Sequence, residues 1–266
     1  MLVAQDFGGM HRIKMGRETD GKVLYWVTAW LYDGLLFDTG CPHTATELLE
    51  HLRGREVKVA VNSHSHEDHI GTNYLLSREL GVQIFAHPFA VPLIAQRPKL
   101  MSYQEGVWGY PEPSQASPLA DHIDVNGRHY QVIETFGHCE GHIALFEEKT
   151  GRLFTGDLFA TEKPRAIRST ENVGRMIADM RKLAALRPGP LVLFTALGEI
   201  VEDGRGALSR CADYLEEVRA KSRELAAQGM SVEDIREKIF GRESSLAGLT
   251  GGDFSTKNLV ASALKL

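Results

Sequence analysis

The period of hydrophobic and polar positions changes repeatedly along this chain, and each change marks an element. Lys22 to Tyr32 is dense in Val, Leu, Trp and Tyr and predicts a strand. Asp33-Gly34 is a tight-hairpin signal, so Leu35 to Phe37 is expected to return as the next strand. From about Thr44 to Leu52 the apolar positions follow helical spacing, and Gly54 closes the run. Strand character resumes from Glu56 to Asn62, a helix is expected from Thr72 to Leu80 with Gly81 as its stop, and Val82 to Ala86 reads as a strand. This β-β-α-β-α-β order predicts a layered α/β architecture.

Between residues 87 and 127 the periodicity fails. Pro88, Pro92, Pro98, Pro111, Pro113 and Pro118 interrupt it, with Tyr103, Trp108 and Tyr110 among them. A stretch this long inside a compact domain is usually functional, and it reads as a lid or insert beside a site. Strands are expected again at His129 to Glu134, Ile143 to Glu147 and Arg152 to Thr155. A helix from Glu171 to Leu186 and a strand from Pro190 to Thr195 follow. Beyond them the chain is helical: Gly206 to Ala227, a second helix capped by Ser231 with Asp234 three positions on, and a third opening at Ser255. Gly248 to Gly252 joins the last two. The division expected is a domain over residues 1–204, carrying the 87–127 insert, and a helical extension over 205–266 packed on it.

Composition narrows the class. At 266 residues and 43% hydrophobic, the chain can bury a sizeable core. Its net charge of −5 is mild and no basic stripe is visible, which argues against nucleic-acid binding. Cys41, Cys139 and Cys211 are few, odd in number and widely spaced, so no disulfide framework is expected. Met1 to Gly9 lacks the basic and apolar regions of a secretory leader, and no apolar run approaches the roughly 20 residues a membrane span requires. A cytoplasmic protein without a membrane partner is the expectation.

The chemistry is concentrated in His64-Ser65-His66-Glu67-Asp68-His69, between a strand and a helix. In extended backbone, residues two apart point the same way, so His64 and His66 can reach one cation. Asp68 and His69 lie one step further and can face a second. Imidazole and carboxylate together are the donors of catalytic zinc and of non-haem iron.

Four landmarks in order make the chain resemble the metallo-β-lactamase superfamily, in its glyoxalase II-like branch, over residues 22–200. They are Asp38 in Phe37-Asp38-Thr39-Gly40, the histidine string, His138 in Thr135-Phe136-Gly137-His138, and Asp157 in Phe154-Thr155-Gly156-Asp157. The resemblance implies a four-layer αββα sandwich, here with extra C-terminal helices. It also implies metal ligands His64, His66, Asp68, His69, His138 and Asp157, with Asp38 orienting the metal loop. The family's fifth landmark is absent, because Thr195-Ala196-Leu197-Gly198 places Leu197 where a ligand histidine is usual. Glu199, two residues on, is a candidate substitute oxygen donor.

The implied cofactor is one or two zinc ions, with iron as the alternative. The expected activity is hydrolysis of a small ester, thioester or lactone by attack of metal-bound hydroxide, with Asp68 accepting the proton or orienting the water when the second site is empty. Two other readings stay open: a mononuclear iron dioxygenase of the sulfur-dioxygenase type, and a non-catalytic metal-binding relic. Cys139 reads as a small packed residue and His142 as a core or supporting histidine rather than a ligand. His43 reads as an exposed loop residue, and His87, His122 and His129 carry no assigned role. The segment from Gly248 to Leu266 leaves a homodimer open.

Overall fold

A computed structural model describes residues 1–186 and 189–265. It divides into two compact units, the first formed by Met1–Glu134, Glu140–Asp157 and Leu191–Glu202.

The first unit holds two large sheets and a two-stranded ladder among the described residues. β1 (Leu2–Phe7) and β2 (Met10–Met15) form an antiparallel hairpin, followed by a small ladder of β3 (Glu18–Thr19) and β4 (Lys22–Val23). The strand expected from Lys22 to Tyr32 breaks at residues 24–26, where Leu24 is 65% exposed, and resumes as β5 (Val27–Tyr32). Asp33 and Gly34 adopt φ of 47° and 84°, the left-handed pair that a two-residue hairpin requires, and β6 (Gly34–Phe37) returns. β7 (Val57–Asn62), β8 (Gln83–Ala86) and β9 (Ser117–Pro118) add in parallel, giving the order β1-β2-β5-β6-β7-β8-β9.

The second sheet orders β10 (His122–Val125), β11 (Arg128–Glu134), β12 (Ile143–Glu147), β13 (Arg152–Gly156), β15 (Val192–Thr195) and β16 (Ile200–Val201). Alternation sorts the side chains between two cores. Trp30, Tyr32, Leu35, Phe37 and Val61 meet Tyr130, Ile143, Leu145, Phe154 and Phe194 of the second sheet. Ala29, Leu31, Leu36 and Ala60 face the other way, under Leu48, Leu49 and Leu52 of α1 (Ala45–Leu52) and Leu76 of α2 (Asn73–Leu80). Trp30 also spans the sandwich by donating its indole N–H to the Thr195 carbonyl at 2.9 Å.

The insert is ordered. It contains α3 (Val91–Ile94) and α4 (Ser102–Val107) before β9, and Trp108 is buried in the helix-side core with Tyr103 and Val107 against it. Gln104 of α4 donates to the buried Glu67 carboxylate at 2.9 Å, which ties the insert to the histidine loop.

The second unit comprises Thr135–Cys139, Leu158–Pro190 and Asp203–Leu266. α5 (Val173–Ala184) is capped by the Asn172 side chain, which accepts the Arg175 N–H. α6 (Gly204–Ala227) and α7 (Val232–Phe240) follow; the latter starts with the reciprocal Ser231–Asp234 box that the sequence signals. α8 (Ser245–Leu249) occupies part of the glycine-rich joint, and α9 (Thr256–Ala263) closes the unit. Leu225, Ile235 and Val260 bring α6, α7 and α9 onto one core. A short antiparallel ladder joins β14 (Ile167–Arg168) to β17 (Phe254–Ser255). Among the described residues no helix is long and apolar enough to cross a membrane, and no disulfide forms. Arg187, Pro188 and Leu266 lie outside the described residues.

Candidate metal centre

Parallel pairing decides where the motif residues gather. β6 and β7 run parallel in one sheet and β13 and β15 in the other, so the turns leaving each pair lie side by side. Asp38 leaves β6, Ser63 and His64 leave β7, Asp157 leaves β13, and Ala196-Leu197 leave β15.

Asp38 is buried with φ +62°, a left-handed conformation that an Asp tolerates better than most residues. One carboxylate oxygen accepts the Ser63 N–H at 2.7 Å. The other accepts the Ser63 hydroxyl at 3.0 Å and His69 Nδ1–H at 2.9 Å. Because Ser63 spends its hydroxyl proton on Asp38, its oxygen is an acceptor toward His64 Nδ1 at 2.9 Å. One carboxylate therefore sets both tautomers: His64 and His69 each commit Nδ1 and turn Nε2 toward the cluster. His64 Nε2 lies 2.8 Å from His66 Nδ1.

The backbone of this loop is held independently. The His69 carbonyl accepts from the Thr39 N–H, the Thr39 hydroxyl and the Asn62 amide, and Asn73 pairs with Asn62. Gly71 packs so closely under residues 40–42 that a Cβ would meet the Cys41 carbonyl carbon and Pro42 nitrogen at 2.4 Å.

His69 Nε2 is buried and makes no hydrogen bond; Asp157 Oδ1 lies 3.3 Å from it and Asp68 Oδ2 3.7 Å. Burial alone would push the His69 pKa down. The charges of Asp157, Asp38 and Asp68 outweigh it and hold the imidazole well above the ordinary histidine range. The three carboxylates thus favour positive charge at this imidazole, as its proton or as a bound cation. His64, His69 and Asp157 each offer a donor atom, all within 4.8 Å of one another, and Asp68 adds a buried carboxylate beside them. Two imidazoles with carboxylate oxygens suit a divalent transition ion, so these residues fit the metal that the motif order implies.

The linkage sign follows. With its pKa raised, His69 contributes stability to the metal-free protein fully below the unfolded value near 6.5, and that contribution is lost as pH rises through the folded value. A cation taking Nε2 must displace this proton. Metal binding at neutral pH is expected to release protons, read as a calorimetric enthalpy that changes with the buffer's ionisation enthalpy. The His69→Gln protein should show a smaller buffer dependence.

His142 is not turned toward a cation: its Nε2 accepts the Asp157 N–H at 3.1 Å, so it fixes the backbone that carries Asp157. Gly156 has no room for a side chain there, since a Cβ would lie 2.5 Å from that same nitrogen. Leu197 is half-buried in the turn between β15 and β16. Glu199 is exposed, and among the described residues it joins no converging group of metal donors.

His138 belongs to the second unit. It is buried, and its Nδ1 lies 2.7 Å from Glu171 Oε1, while Glu171 Oε2 accepts the Arg168 N–H at 2.6 Å. The strand-like pattern gave no sign of this partner, because Glu171 reads as the first residue of a helix. That helix actually begins at Val173, which leaves Glu171 in the preceding turn. Gly137 is needed at its position: its N–H donates to Asp179 at 2.8 Å, and a Cβ would meet the Met176 backbone at 2.6 Å. With Nδ1 committed to Glu171, Nε2 is the atom His138 has for a metal. Glu171→Gln is expected to weaken metal binding about 10-fold without unfolding the protein, measured by competition with a chromophoric chelator.

Comparison with known proteins agrees with this geometry. Residues 27–196, well over half of the chain, match the profile of the metallo-beta-lactamase superfamily. The probable metallo-hydrolase YqjP of Bacillus subtilis is 27% identical over 222 residues, 67% of this chain and 68% of that protein. A hydroxyacylglutathione hydrolase of Methylobacillus flagellatus is 28% identical over 155 residues, 57% of this chain. The chain spans about half the length of that relative (53%). Among solved structures, a metallo-beta-lactamase family protein from Thermus thermophilus superposes with a TM-score of 0.67 at 19% identity, covering 97% of this chain and 91% of its own. A beta-lactamase domain protein from Burkholderia ambifaria gives 0.66 at 18%, covering 99% and 83%. The structures share the fold, and the profile matched over more than half of its length shows that the chain belongs to the metallo-beta-lactamase superfamily.

Proposed function

We propose that this protein is a metal-dependent hydrolase of a small-molecule ester, thioester or lactone, with zinc as its metal. The observation that carries the reading is the pair of imidazoles, His64 and His69, which one buried carboxylate anchors through their Nδ1 atoms, directly or by way of Ser63, and which converge with Asp157. Relatives named as a hydroxyacylglutathione hydrolase and a probable metallo-hydrolase support a hydrolytic use of such a site.

His64, His66 and His138 would hold a first ion; the third rests on its place in the motif order. Asp68, His69 and Asp157 would hold a second. When bound, zinc supplies Lewis-acid activation of a water and of the substrate carbonyl. When the second position is empty, the buried Asp68 would accept the proton or orient the attacking water. Asp38, Ser63 and Glu171 hold the imidazoles in position before substrate arrives. Leu197 supplies no donor, so the second position is one protein ligand short of the usual set and would hold its ion less tightly than it would with a histidine there.

Elemental analysis of protein purified without added metal, combined with a panel of thioester, ester and lactone substrates, tests the proposal. Zinc at one to two equivalents with turnover on at least one class is the expected result. Iron near one equivalent with oxygen uptake and no hydrolysis would replace the hydrolase with an oxygenase.

A further inference from the structure

A second group of donors lies on the β10–β11 hairpin. His122 and Asp124 are two apart on β10 and so leave the same face, and Asp124 pairs directly with His129 across the ladder. Asp124 Oδ1 lies 2.8 Å from His129 Nδ1, and His122 Nε2 is 4.0 Å from Asp124 Oδ2. The two rings have centroids 4.9 Å apart, a diagonal contact that long side chains on neighbouring strands can make. One donor atom from each of the three lies within 4.8 Å of the others, and all three side chains are exposed.

The backbone beneath them is fixed. Val125 and Tyr130 point to the opposite face, into the core between the sheets. The turn is a left-handed Asn126-Gly127 pair, φ 50° and 76°, which locks the hairpin register. Asn126 donates to the Asp33 carbonyl at 2.9 Å, and Arg128 reaches Asp33 and Glu147 at 2.7 Å each. Donor spacing is thus set by a clamped hairpin, which reduces the ordering cost of binding.

We propose that His122, Asp124 and His129 form a surface site for a divalent first-row transition ion, separate in sequence and strand from the histidine loop. Two imidazoles and one carboxylate supply three ligands, and water completes the shell. That set discriminates for copper, nickel and zinc over magnesium and calcium, which take mainly oxygen. The site does not depend on the hydrolase reading, because none of its residues belongs to the motif cluster.

The test compares the full-length protein with His122→Ala/His129→Ala after chelator treatment, each titrated with Zn²⁺ by calorimetry. The wild type should bind one equivalent more than the double variant. With Cu²⁺, the double variant should lose an imidazole-bearing paramagnetic signal, and the amide resonances of Ile123 and Tyr130 should broaden in the wild type and not in the double variant. Either single histidine substitution should weaken that equivalent at least about 10-fold, and Asp124→Asn by less. Superimposable melting curves of the metal-free proteins verify that the hairpin is intact, as expected for exposed side chains. Equal Zn²⁺ stoichiometry in wild type and double variant, with unchanged Cu²⁺ spectra, overturns the proposal. So does Cu²⁺ broadening that spares β10 and β11.

Discussion

Replacing His66 by alanine is expected to remove hydrolysis and metal retention together while leaving the fold in place. His66 is only partly buried and sits in a loop whose backbone is held at the His69 carbonyl by Thr39 and Asn62. Loss of a surface-side imidazole there should cost the metal-free protein less than about 1 kcal/mol. The proposed chemistry is far more sensitive. Metal activation is worth several kcal/mol of barrier, so kcat/KM on whichever thioester, ester or lactone is turned over should fall by roughly 10³-fold or more. Three readouts taken on one preparation check it: metal content as purified, the metal-free melting midpoint, and kcat/KM. A His66→Ala protein that has lost its metal yet turns over substrate at the wild-type rate would end the scheme.

The sequence displays the donors of this site but not what aims them. His64, His66, Asp68 and His69 fall within six consecutive positions, and Asp157 follows a strand, so spacing alone marks them. The parallel pairing of β6 with β7 and of β13 with β15 is a consequence of topology, and it is what brings Asp38, His64 and Asp157 to neighbouring strand ends. Ser63 looks like an ordinary polar neighbour in the string, yet it relays Asp38 to His64. Glu171 is further removed still: 33 residues separate it from His138, and no periodic signal connects a turn glutamate to a distant imidazole.

The elements divide along similar lines. Strands with both faces buried, such as β5, β6 and β12, are legible because their apolar runs are dense. β1 is an edge strand with no fully buried residue, and the six residues Leu2–Phe7 are too short a run for period alone to mark them as a strand. Helices α3 and α4 are four and six residues long, too short to impose a period between prolines. What the prolines and aromatics of the insert signal as a wall has a structural part as well, since Trp108 is buried among Leu and Val side chains and Gln104 braces Glu67. The discontinuous second unit is equally hidden, because the five residues Thr135–Cys139 join helices far along the chain.

Asp38 has the largest structural consequence of any residue in the candidate site. Asp38→Ala deletes the acceptor for the Ser63 N–H, the Ser63 hydroxyl and His69 Nδ1–H at once, all in a buried setting. It also leaves a β-carbon-only residue at φ +62°, where alanine lacks the local polar contacts that make this conformation tolerable for Asp. Breaking one partner of a buried charged network costs about 3–5 kcal/mol, and the left-handed backbone adds about 1 kcal/mol or more. The melting midpoint of the metal-free protein should therefore fall by about 10 °C or more. Asp38→Asn separates stability from aiming. It accepts the same backbone conformation and keeps the shape, but its amide offers one acceptor oxygen where the carboxylate offers two. With its oxygen on the Ser63 N–H, the amide turns its N–H₂ group toward the Ser63 hydroxyl and His69 Nδ1 together, and both imidazoles lose their anchor; in the flipped amide the N–H₂ group meets the Ser63 N–H and loosens the relay to His64. Its melting midpoint should lie between wild type and alanine, whereas its metal affinity should drop 10- to 100-fold, as for other carboxylates that support a ligand histidine. If Asp38→Asn retains wild-type metal affinity, the tautomers of His64 and His69 are set by something other than this carboxylate. The shared anchor on which the candidate centre is built would then be lost.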